Sequence, residues 1–198
     1  MAKFLAIIYE IWNARNLLVF QEKDLPPQEI STTAFKRLHE GILKANVDAH
    51  LSSDGHWFSG MVLRRSDGGI VGAATRVHKG SIDVITGEAL GLNDVALDWI
   101  EKLDEHHVIL EMDSQIIVKA IKDKAEIWKN WGWMVRRCIK FLDNNPNADI
   151  RWVPRGANRV AHEMAKWAQF EPNNDWSNCV PMCIWLFIQK DKGFVIPD

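Results

Sequence analysis

The sequence predicts an α/β domain with a mixed five-stranded sheet flanked by helices, and three observations support this. First, Leu43, Ala45, Val47 and Ala49 alternate with Lys44, Asn46, Asp48 and His50, a period of two that lays one apolar strand face on a core. Second, strand-like runs over residues 57–64 and 70–77 follow the turn clusters Ser52-Ser53-Asp54-Gly55 and Ser66-Asp67-Gly68-Gly69. Tight turns of this kind join antiparallel neighbours into a meander. Third, Ile85, Ala89, Leu92, Ala96, Trp99 and Leu103 recur at helical spacing, one continuous apolar stripe. The apolar run 107–112 that follows this helix is then a fourth strand. After a helical crossover it runs parallel to an earlier one.

The remaining elements follow in order. A helix is expected over residues 1–20 through Leu5, Ile8, Ile11 and Trp12, then a linker at 21–28 marked by Pro26-Pro27. Residues 31–40 read as a short helix or a structured linker. Beyond the fourth strand, Asp113-Ser114 opens a helix that buries Ile116, Ile117, Ala120 and Ile121. A charged connection at 122–128 leads to a helix over 131–142, broken by Asn144-Asn145-Pro146-Asn147. A fifth strand at 149–153, a turn at Pro154-Arg155-Gly156 and a last helix from about Asn158 complete the pattern. That helix has a narrow face of Ala157, Val160, Ala161, Met164, Ala165 and Ala168. The implied organisation is a helical extension and linker over 1–41, a domain over 42–170 and a C-terminal tail over 171–198. The apolar run 183–188 in the tail docks on the domain or on a neighbour.

Composition narrows the function classes. A net charge of -2 is no polycation, so nucleic-acid contact must come from a local patch. Cys138, Cys179 and Cys183 form no CxxC pair and read as ordinary thiols of a reducing compartment, with cytoplasm and nucleus both open. The apolar N-terminal run stops at Glu10, and no segment approaches the roughly 18 apolar residues of a membrane span. No membrane partner is expected.

Three acidic residues stand at meaningful points. Asp48 lies mid-strand on the polar face, where β propensity disfavours a carboxylate. Glu88 lies at the edge of the buried helical stripe, aimed at solvent or at the sheet. Asp113 follows the fourth strand, at the strand end where α/β sheets gather ligands, and is equally placed to cap the next helix. If strands one and four are neighbours, the three carboxylates converge. Hard divalent cations take such oxygens, and a pair of them clamps a phosphodiester for hydrolysis.

Four short motifs now occur in order: Asn46-Val47-Asp48, Gly87-Glu88-Ala89, Glu111-Met112-Asp113-Ser114, and Trp152-Val153-Pro154-Arg155-Gly156-Ala157-Asn158 continuing to His162. On a chain that runs β-β-β-α-β-α and, after a further helix, β-α, they resemble type 1 ribonuclease H. More narrowly, the chain is similar to the plant RNase H-like domains at the C-terminal end of non-LTR retroelement reverse transcriptases. The resemblance implies an RNase H-like fold and a metal-dependent endonuclease cutting the RNA strand of RNA–DNA hybrids. It implies Asp48, Glu88 and Asp113 as ligands of Mg²⁺ or Mn²⁺, two ions in all, and a reverse transcriptase domain upstream in a longer polyprotein. The fourth catalytic position falls at His162, where the family has a carboxylate; a neutral imidazole suits Mg²⁺ poorly. Ala49 replaces the usual glycine, Arg65 the usual acidic residue, and no basic protrusion is evident in the short connection at 122–130.

These departures motivate a second reading, a catalytically impaired domain kept for nucleic-acid binding or protein interaction. A 3′–5′ exonuclease of the same fold is a third, disfavoured by the order of the acidic residues. Trp128, Trp131 and Trp133 read first as packing residues and second as base-stacking ones. Arg64, Arg65, Arg76, Lys79, Arg151, Arg155 and Arg159 line a phosphate track or an ordinary solvated surface.

Overall fold

Alternation at 43–50 becomes β1 (Leu43–Leu51), and the two runs after it become β2 (His56–Arg64) and β3 (Ile70–Lys79). β1 pairs antiparallel with β2, and β2 with β3. The helical stripe follows as α1 (Val84–Leu90), a π-helical segment (Gly91–Leu97) and α2 (Asp98–Leu103). Then come β4 (Val108–Met112), α3 (Gln115–Lys122), α4 (Gly132–Asn144) and β5 (Asp149–Trp152). A 3-10 turn (Arg155–Asn158) leads into α5 (Arg159–Trp167), and β6 (Asp175–Ser177) and α6 (Met182–Asp191) close the chain. This computed structural model describes residues 42–65, 68–79, 83–103 and 106–191. The helix expected over 1–20, the linker and the segment 31–40 lie outside the described residues.

The sheet order is β5-β4-β1-β2-β3-β6, with β4 parallel to both β1 and β5. The expected crossover is therefore present, but the sheet has six strands where five were expected. The sixth comes from the segment read as a tail: β6 pairs antiparallel with β3 through Gly72–Ser177, Ala73–Trp176 and Ala74–Asp175. Three residues without alternation carry no periodic signal, and the backbone donors of the β3 edge are what recruit them.

Helices cover both faces. On one side Leu43, Ala45 and Val47 of β1 join Leu92, Ala96, Trp99, Leu110, Ile117, Met134 and Cys138 in the larger core. Cys138 is a free thiol there, its pKa pushed up to about 12 by burial. On the other side Val62 and Ala73 meet Val160 and Met164 of α5 and Ile184 and Ile188 of α6. The run 183–188 thus docks on the domain itself.

That second layer also covers the polar face of β1. The polar face of β1 is not solvated: Asn46 and Asp48 are both buried, because α5 crosses β1 and β2. The approach is very close. A Cβ on Gly60 would stand 2.3 Å from the Ala165 backbone nitrogen. Two smaller corrections concern helix faces. Ile116 is exposed, its expected place in the core taken by Val118 beside Ile117, Ala120 and Ile121. Ala157 is exposed because it belongs to the 3-10 turn, ahead of the α5 stripe. Among the described residues no helix is long and apolar enough to cross a membrane.

Candidate active site

Register brings the first two carboxylates together. In the parallel β1–β4 pair Asn46 stands opposite Glu111, and two more residues along each strand lead to Asp48 and Asp113. Glu88 arrives from the first turns of α1. Its neighbour Gly87 sits against the Trp57 ring, where a Cβ would come within 2.3 Å. One ligand oxygen from each of Asp48, Glu88 and Asp113 lies within 4.8 Å of the other two. The three residues expected to converge do so, from the middle of β1, the end of β4 and one helix.

Bringing three carboxylates into a half-buried site has an electrostatic cost. Asp48 is raised to about 6, first by burial and then by the charge of Asp113. The hydrogen bond and charge of His162 and the Ala49 N–H oppose that rise. Glu88 is raised to about 9 by burial, then by Asp48 and Asp113, with Arg155 opposing. Its Oε2 is buried without a hydrogen-bond partner. A buried carboxylate oxygen with no partner, beside two others, fits a cation-binding site better than a finished polar network. All the donors are hard oxygens, the set that suits Mg²⁺ or Mn²⁺.

His162, on α5, stands outside the group of three carboxylates and touches it through Asp48. Its Nδ1–H donates to Asp48 Oδ2 at 2.6 Å. The fourth expected residue is therefore a partner of the first, occupying one of its oxygens.

A supporting network was not anticipated from the sequence. Asn158, fully buried, donates from Nδ2 to the Val47 carbonyl at 2.8 Å and to Asp113 Oδ1 at 3.4 Å. Its Oδ1 accepts from Asn46 Nδ2 at 3.4 Å, and the same nitrogen donates to Glu111 Oε2 at 2.9 Å. Arg64 Nη2 donates to Asn46 Oδ1 at 2.7 Å. Trp152 Nε1 donates to the Asp113 carbonyl at 3.1 Å. One signal was available: Asn46 shares the polar strand face of Asp48, two residues away, so whatever orders one face orders both. Of the three tryptophans read together, Trp131 is buried, whereas Trp128 is 91% exposed and Trp133 is also exposed.

The comparisons agree with this geometry. The family model described as "Reverse transcriptase-like" matches residues 46–168, more than half of the chain and all four site positions. RNase H1 from the halophilic archaeon Halobacterium salinarum superposes with a TM-score of 0.59 at 23% identity, covering 66% of this chain and 99% of that one. LC11-RNase H1, isolated from compost and solved with an RNA/DNA hybrid, gives 0.53 at 17% identity, covering 62% and 92%. The foamy viral protease-reverse transcriptase with RNA/DNA hybrid gives 0.50 at 13% identity, covering 75% of this chain and 21% of that one. No curated protein matches. With its mixed sheet, its crossover and the span of the family match, the chain belongs to the reverse transcriptase-like family and carries an RNase H-like fold.

Proposed function

We propose that the protein is a divalent-metal-dependent endonuclease hydrolysing the RNA strand of RNA–DNA hybrids. The observation that carries this is the convergence of Asp48, Glu88 and Asp113 from three separate elements, with a buried Glu88 oxygen left unpartnered. These three residues would hold Mg²⁺ or Mn²⁺. When bound, two such ions supply an activated water and neutralise charge building on the phosphodiester. The chain's own residues prepare that site. Asn158 ties Asp113 to β1, His162 keeps one Asp48 oxygen oriented, and α5 covers the face of β1 that carries Asp48. Hybrid would be recognised largely through backbone shape and 2′-hydroxyls. An upstream reverse transcriptase domain is the partner this reading carries.

One observation favours a second reading, a metal-indifferent binding module. His162 already supplies Asp48 with an internal partner at 2.6 Å. A labelled RNA–DNA hybrid incubated with Mg²⁺ or Mn²⁺ separates the two. The nuclease reading expects RNA-strand cleavage, abolished by chelator and reduced by about 10²–10³-fold, the order of an essential electrostatic group, in Asp48→Asn and Asp113→Asn. Folded protein that binds hybrid equally with and without metal, and never cuts it, is the binding module.

A further inference from the structure

Beside the carboxylates lies a cleft of about 440 Å³ lined by Gln115, Lys119, Lys122, Asp123, Arg151 and Trp152 with Val118 beneath. Two of these residues connect it to the site. Gln115 is two positions beyond Asp113, and the Trp152 indole N–H is bonded to the Asp113 carbonyl at 3.1 Å. Three cations face one acid in the lining. Arg151 is engaged with Asp149 at 2.8 Å, but Lys119 and Lys122 form no side-chain ion pair with any described residue. They lie one turn apart on α3, both exposed. Trp152 is 47% exposed, and its bond to Asp113 fixes the plane of the ring. Unneutralised lysines beside a fixed aromatic face are the elements of a single-strand nucleic-acid groove: charge follows the phosphates and the ring takes a base or sugar.

We propose that this cleft holds the RNA strand where it continues, unpaired, past the carboxylates. The inference rests on the hybrid-nuclease reading for the identity of that strand. Phosphates reach Lys119 and Lys122, and the first unpaired nucleotide packs on Trp152. A polyanion of this kind explains why the lining is cationic in a chain of net charge -2. The arrangement makes the end of a hybrid, where RNA runs on as a single strand, a preferred substrate.

Binding in EDTA, by fluorescence anisotropy over a salt series, tests the cleft apart from cleavage. The probes are a blunt RNA–DNA hybrid and the same hybrid with a single-stranded RNA extension at the 5′ or the 3′ end. One polarity of extension should tighten binding by wild-type protein. Lys119→Gln/Lys122→Gln should lose about tenfold on that probe. Its slope of log affinity against log salt should be shallower by about 1.4, from about 0.7 for each single-strand phosphate the variant no longer neutralises. Trp152→Leu should lose about fivefold or more, and Trp152→Phe should restore most of it. Lys140→Gln, on α4, should keep the preference for the extension. Equal affinity of wild type for extended and blunt probes overturns the proposal. So does an unchanged double variant, or one weakened equally on all three probes. Cleavage is read separately on wild-type protein with Mg²⁺: extension-dependent binding without cleavage removes the nuclease reading and leaves the cleft.

Discussion

Glu88 is held further from its ordinary range than Asp48 is. Its folded value of about 9 stands above the ordinary 4.5. Below pH 4.5 it is protonated whether the chain is folded or not. Between 4.5 and about 9 the unfolded chain releases the proton and the native chain keeps it, so rising pH lowers stability across that window. The slope from one such group is at most about 1.4 kcal/mol per pH unit. Glu88→Gln removes it. Thermal melts of metal-free protein should therefore fall less between about pH 5 and about pH 8 in the variant, which at the upper pH melts above wild type. A variant that melts lower there, with the same pH slope, would show that Glu88 is not under this strain. Asp48, raised only to about 6, is partly relieved by His162 and the Ala49 N–H. The Ala49 N–H lowers both carboxylates, so what Asp48 has and Glu88 lacks is the His162 ring. Strand position made Asp48 and Asp113 readable as a pair if β1 and β4 were neighbours, whereas the aim of Glu88, at solvent or at the sheet, was settled only by the packing of α1. The partnership of His162 with Asp48 was not legible, since it depends on how closely α5 descends on β1.

That descent is a property of two elements and has a sharp test. Gly60 on β2 sits under α5, and a Cβ there would stand 2.3 Å from Ala165 N and 2.5 Å from the Met164 carbonyl carbon. Backbone cannot yield as a side-chain tip does, so Gly60→Ala should cost about 3 kcal/mol and displace His162 from Asp48. Gly156→Ala, with nothing within 4 Å, is the neutral control. Denaturant midpoints decide it: equal midpoints for the two variants would mean that α5 rides higher than described. The same elements show why some structure was readable and some not. β1, β2 and β3 announce themselves by alternation and glycine turns, both local signals. Burial of the polar face of β1 is non-local, because a period of two says which residues share a face and not what covers it. The π-helical segment Gly91–Leu97 is equally silent in the sequence. Its apolar spacing matches an ordinary helix, yet Gly91, Leu92, Asn93, Val95, Ala96 and Leu97 are all buried.

For the whole molecule the decisive feature is that residues after 170 complete both the sheet and the second core. β6 satisfies part of the β3 edge, and Thr75 Oγ1 donates to the Glu171 carbonyl at 2.6 Å. Ile184 and Ile188 of α6 are buried against the layer of Val62, Ala73, Val160 and Met164. Arg159 of α5 adds a cation–π contact with Phe187, 5.2 Å from the ring centroid. This layer is also the one that presses α5 on β1, so its loss reaches the site through Gly60 and His162 rather than by direct contact. A chain ending at Phe170 exposes apolar surface on α5 and an unpaired edge on β3, the combination that drives edge-to-edge association. It should be aggregation-prone and weakly folded. Ile184→Ala offers a milder version in the full chain, with an expected cost of about 2–5 kcal/mol from the lost side chain and the cavity behind it. Size-exclusion profiles and urea midpoints measure the two effects. A monomeric truncation with the full-length midpoint would show that α6 is an appendage; a destabilised Ile184→Ala protein with weakened metal binding would show that the second core holds the carboxylates in place.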